Sequence, residues 1–131
     1  MFARLTRGLQ LGRLTLHAWL ALAAFDVVRL FGFAWIRELL RRRPTTGKFR
    51  FAAEEIVWSV EEACVWYVKS AHCLQRSAVT AWLLRAHGID AEMVIGFRPL
   101  PFESHAWVEV AGDVINDRPQ YQKAFKVIDR I

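Results

Sequence analysis

Gly88 divides the chain, because the spacing of its apolar residues changes there. Before it, the run Ala78-Val79-Thr80-Ala81-Trp82-Leu83-Leu84 belongs to a helix that starts near Ser70. After it, Ala91, Met93, Ile95 and Phe97 alternate with Glu92, Val94, Gly96 and Arg98, the two-residue period of a strand. Ser70 suits an N-cap, since its hydroxyl can accept from a first-turn N–H, and Gly88 suits the left-handed position just past a helix end. A second strand follows at Ser104–Val110 and a third at Val114-Ile115-Asn116-Asp117, joined through Ala111-Gly112-Asp113. Pro99-Leu100-Pro101-Phe102 breaks the first strand and Pro119 ends the third. Helices followed by a small antiparallel meander predict an α+β fold, with a central helix packed on the sheet. The tail, with Tyr121, Phe125, Val127 and Ile128, carries core-type residues but no clear period.

Residues 4–43 read as one or two helices with Gly32 as the joint. Leu16, Trp19, Leu20, Ala23, Val27, Leu30 and Phe31 recur at three-and-four spacing. Arg41-Arg42-Arg43 suits a helix C-terminus, and Pro44-Thr45-Thr46-Gly47 is a break. The chain therefore divides into a helical segment, residues 1–47, and a core, residues 48–131. Charge follows the same line: residues 1–50 hold ten Lys/Arg against two acids, residues 51–131 eight against eleven. The basic third suits an acidic partner or an anionic lipid surface, or it is simply a packing layer. No nucleic-acid recognition motif accompanies it. A membrane span through Leu14–Ile36 would bury Asp26 and Arg29 at a cost of ~3 kcal/mol each. No small-residue cleavage site follows the Leu14–Phe25 run, so the expected location is cytoplasmic, with peripheral membrane contact left open.

Residues 51–69 form another helical pattern, with Ile56, Val60, Ala63, Cys64, Tyr67 and Val68 on one stripe and Glu54, Glu55, Glu61 and Glu62 crowding its start and other surface. Cys64 on that stripe is a packing residue. Cys64, His72 and Cys73 match no zinc spacing, and two cysteines make no disulfide framework, so neither metal nor cofactor is expected.

Cys73 is different. It lies in the first turn of the central helix, where unpaired N–H groups and the positive end of the dipole favour a thiolate. A thiol nucleophile needs a base, and the base needs an orienting acceptor. His87, fourteen residues along the same helix, is about 21 Å away. His72 projects about 100° round the helix, and nothing places His17. His105 opens a strand that must pack on this helix, and is the best base. Asp117 on the next strand is the candidate acceptor. A two-residue turn would put it on the opposite face from His105, whereas a three-residue turn with Gly112 in a left-handed bulge would put both on one face. Asp113 reads as a turn former, and Asn116 points away from Asp117.

Several strings resemble one group of proteins. They are Cys73-Leu-Gln-Arg-Ser77, Trp82-Leu-Leu-Arg85, Gly88-Ile-Asp-Ala-Glu-Met-Val-Ile-Gly96, Pro101-Phe102, Ser104-His-Ala-Trp-Val-Glu-Val110 and Val114-Ile-Asn-Asp-Arg118. Together they resemble the lasso-peptide biosynthesis B2 proteins, stand-alone leader peptidases with a transglutaminase-like, papain-type core. The resemblance runs from about Ser70 onward; the acidic helix before it does not align. It implies Cys73 as nucleophile, His105 as base and Asp117 as third member of a triad, with the Cys73 backbone N–H as one oxyanion donor. It also implies removal of the leader from a ribosomally made precursor, freeing the core's N-terminal amine for macrolactam closure by an ATP-dependent cyclase. A small B1 protein would present the leader. Two other readings stand beside it: an acyl or amide transferase using the same triad, and a non-catalytic scaffold that binds a partner or membrane.

Overall fold

A computed structural model of the chain describes residues 2–48 and 50–131, Phe2 and Tyr121 by backbone alone. Helix α1 (Phe2–Arg29) and helix α2 (Phe33–Arg42) meet at Gly32, whose φ of 104° is costly for any residue with a Cβ. Two arginines, Arg41 and Arg42, stand in the last turn of α2, as its dipole favours, and both pair with Glu38. Helix α3 (Ala53–Val65) starts where the Glu55 carboxylate reaches back to the Ala52 N–H at 3.0 Å. Its inner stripe holds Ile56, Val60 and Ala63, with Cys64 and Tyr67 half-buried. Val68, expected on that stripe, is 82% exposed, because the helix ends at Val65.

Helix α4 (Cys73–Ala86) is the centre of the fold. Nine of its residues are buried, among them Gln75, Ser77, Val79, Leu83, Leu84 and Arg85, so it is covered on every side. Its N-cap is His72, with no side-chain capping bond, rather than Ser70. The chain comes out of α3 through an irregular stretch and turns helical only at Cys73, which puts the cysteine at the first helical position. At the other end Gly88, at φ 82°, closes the helix as expected. Its N–H bonds Arg85 O, and the Ile89 N–H bonds Leu84 O at 2.9 Å.

The sheet is antiparallel and has four strands in the order β3-β2-β1-β4. They are β1 (Glu92–Pro99), β2 (Phe102–Val110), β3 (Asp113–Val114) and β4 (Lys126–Arg130), with the short helix α5 (Pro119–Gln122) before β4. The third strand is shorter than expected, stopping at Val114. The tail supplies a strand the apolar pattern does not show. β4 pairs along the free edge of β1 with Val127 and Ile128 exposed, whereas Phe125 is buried as expected. The side chain of Tyr121 lies outside the described residues.

One core joins these elements. Leu14, Ala18, Leu22 and Phe25 of α1 pack with Ile56 and Val60 of α3, Val79 and Leu84 of α4, and Met93 and Val108 of the sheet. The far face of the sheet carries a smaller cluster of Val94, Trp107 and Phe125. The buried Arg85 guanidinium ties three separate segments together through Ala91 O at 2.8 Å, Leu40 O at 2.5 Å and Ile131 O at 2.6 Å. Burial depresses its pKa, and the three carbonyls replace the water it has lost. Asp26 is also accommodated inside the protein, between Lys69 Nζ at 2.8 Å and the Tyr67 hydroxyl. Burial raises its pKa, but the bonds from Lys69 and Tyr67 outweigh that, and the net shift is downward.

Candidate active site

Cys73 and His105 line one cavity of about 380 Å³, whose wall also holds Phe33 of α2, Leu74, Ile95 and Ile128. The thiol is half-buried at the first position of α4, where the N–H groups of the opening turn have no intrahelical acceptors. His105 comes from the start of β2. Its Nε2 pairs with Asp117 Oδ2, and its ring lies 6.0 Å from Trp107 and 5.5 Å from Phe125, centroid to centroid. The other Asp117 oxygen, Oδ1, accepts the Arg118 N–H at 2.8 Å, so the carboxylate is held at both ends. Gly96 lies opposite His105 across the ladder; a Cβ there would meet Phe125 Cβ and Trp107 Cη2 at 2.9 Å.

The route by which Asp117 reaches His105 differs from the expected one. The β2–β3 turn has two residues, not three: Val110 pairs with Asp113, with Ala111 (φ 52°) and Gly112 (φ 84°) both left-handed between them. Those signs are the type I′ pattern that fits the twist of a hairpin. In that register an extended third strand would turn Asp117 to the wrong face. The strand does not extend. The Ile115 N–H still bonds Val108 O at 3.1 Å, but the Val108 N–H then bonds the Asn116 side chain, Oδ1, at 2.8 Å. The backbone leaves the ladder at that point, and Asp117 swings to the side of His105.

Asn116 is therefore a residue that the sequence reading undervalued. Its Nδ2 donates to Ser77 Oγ at 3.1 Å, and Ser77 Oγ donates to Ala106 O at 3.1 Å. Ser77 is one turn after Cys73, and Ala106 follows His105. This chain of bonds fixes the helix carrying the thiol against the strand carrying the imidazole. The signal in the sequence is a hydroxyl at the fourth position after Cys73, one turn on and so on the same side of the helix as the thiol.

Cys64 lies elsewhere, packed in α3 against the core. Burial, and then the Glu61 charge, push its thiol pKa up, the direction that suppresses reactivity. His87 rests edge-on against Phe51 at the far end of α4, 5.3 Å between centroids. Among the described residues no three His, Cys, Asp or Glu side chains gather as a metal site would require.

The model of the transglutaminase-like superfamily matches residues 21–130. Over 59 residues the sequence is 48% identical to the microcin J25-processing protein McjB of Escherichia coli, a match covering 45% of this chain and 28% of that protein. No solved structure matches the chain.

Proposed function

The chain belongs to the transglutaminase-like superfamily, and from that premise we propose that it is a cysteine peptidase which cuts the leader from a ribosomally made lasso-peptide precursor. The observation that carries this reading is that Cys73 and His105 line one cavity while His105 is paired with Asp117. The likeness to a protein named for microcin J25 processing supports the choice of substrate.

In this mechanism Nε2 of His105 is engaged by Asp117, so Nδ1 is the nitrogen that takes the Cys73 proton. Sγ attacks the scissile carbonyl, and the oxyanion forms against the Cys73 backbone N–H. His105 returns the proton to the leaving amine as the C–N bond breaks, which frees the amine of the core. Water, deprotonated by the same imidazole, attacks the thioester and releases the leader as a carboxylic acid. Asp117 fixes the ring and balances the imidazolium charge. Residues 48–131 serve as the catalytic core and residues 1–47 as the helical layer on it. The precursor would arrive on a B1 recognition protein, and an ATP-dependent cyclase would consume the freed amine, all in the cytoplasm.

The test is incubation with a precursor and its recognition protein, read by mass spectrometry. A leader fragment with a free carboxylate is expected. Cys73→Ala and His105→Ala should each reduce its formation at least a thousandfold, and Asp117→Ala less. A Cys73→Ala protein that cleaves at the wild-type rate would refute the reading.

A further inference from the structure

Helix α1 is apolar on two opposite sides. Its inner side, Leu14, Ala18, Leu22 and Phe25, is in the core. On the other side Leu5, Leu9, Leu16, Leu20 and Val27 fall within about 60° of one another at 100° per residue. These five are 52% to 70% exposed, and Leu30 and Phe31 stand exposed directly after them. A soluble surface helix has no use for this second stripe, which forms a continuous apolar face.

What lies beside the stripe indicates its occupant. Next round the helix come Arg13 and His17, and together with Arg7 they line a cavity of about 460 Å³ whose far wall brings Arg50 and His87. One carboxylate, Glu55, is committed to Arg7. Along α1 there are four arginines and a single acid, Asp26, which is tied to Lys69 and Tyr67. Two copies of this face would repel each other. An apolar stripe flanked by cations fits a helix lying in a membrane interface, its leucines among acyl chains and its cations at the depth of lipid phosphates.

We propose that the outer face of α1 docks the protein on an anionic membrane surface, with Arg13, His17, Arg50 and His87 forming the seat for a lipid phosphate. The helix is long and apolar enough to cross a bilayer by length and composition. Its inner face is committed to the domain core, however, so it lies on the membrane and does not span it. This docking is independent of the cleavage reaction.

Flotation of the full chain with vesicles tests it. Vesicles of phosphatidylcholine with phosphatidylglycerol should carry the protein up, and phosphatidylcholine alone should bind it at least tenfold less. Leu16→Asp/Leu20→Asp should abolish flotation, with unchanged circular dichroism expected because both side chains are exposed. Arg13→Ala and Arg50→Ala keep the stripe intact and should each weaken binding about fivefold, the worth of one interfacial cation. Three results would overturn the proposal: no flotation with anionic vesicles, equal flotation with neutral ones, or a lipid-free dimer that Leu16→Asp/Leu20→Asp dissociates.

Discussion

Replacing Ser77 and Asn116, singly and together, probes the link that sets the thiol against the imidazole. Ser77→Ala removes two neutral hydrogen bonds, to Ala106 O and from Asn116 Nδ2, at a residue with no exposed surface. At about 1 kcal/mol each the loss is about 2 kcal/mol. Asn116→Ala costs more, because it also strips the partner from the buried Val108 N–H, which water cannot reach. A stranded donor of that kind costs roughly 1–3 kcal/mol, so this variant should lose about 3 kcal/mol. The two substitutions share one bond. The double variant should therefore lose about 4 kcal/mol, some 1 kcal/mol short of additivity. Urea unfolding followed by tryptophan fluorescence measures all three. Additivity to within about 0.3 kcal/mol would mean that the Ser77–Asn116 bond has no energetic weight, and the account of how α4 and β2 are locked would fail.

Three further outcomes follow from particular contacts. Iodoacetamide near neutral pH should modify Cys73 well before Cys64, whose thiol pKa is raised by burial; the order is read by peptide mapping, and Cys64 reacting first would reverse the assignment of the two sulfurs. Gly96→Ala should cost about 1–3 kcal/mol and slow cleavage as well, since the new methyl displaces Trp107 and Phe125, which flank His105. Acid should destabilise the protein in two stages. Burial, with the neighbouring charges of His17, Arg50 and Arg43, lowers the His87 pKa, so its contribution is complete above the unfolded value of 6.5 and is lost as pH falls through the lower folded value. Asp26, Glu55 and Asp129, all lowered, give way further down, below the ordinary carboxylate values of 3.8 to 4.5. His87→Phe, which keeps a ring against Phe51, should remove the first stage in a chemical denaturation series across pH.

The helical half of the fold was legible because its signals are local. The three-and-four spacing, Gly32, the arginines closing α2 and Gly88 each act within a turn of where they stand. So was the first pair of strands, whose alternation reflects one buried face. β4 was not, because an edge strand with Val127 and Ile128 facing solvent has no alternation to read; its place is set by backbone pairing with β1 and by Arg85 holding Ile131. The cap of α4 lies two residues beyond the expected one, since Ser70 has the chemistry of a cap but sits in a stretch that is not yet helical. Of the site, the cysteine and histidine could be proposed from position alone. The path to Asp117 could not. Strand parity assumes an unbroken ladder, and here an asparagine side chain takes the place of the next backbone partner.

Because α4 is wedged between helices on one side and the sheet on the other, the sulfur at its tip behaves as a fixed anvil. Shifting it by even an ångström would mean repacking Val79, Leu83 and Leu84 together. Accommodation of differently shaped peptides therefore falls to the cavity's outer lip, to Phe33 on α2 and Ile128 on the edge strand, both well exposed. Swapping those two side chains is the way to retune which peptide fits while leaving the chemical machinery where it stands.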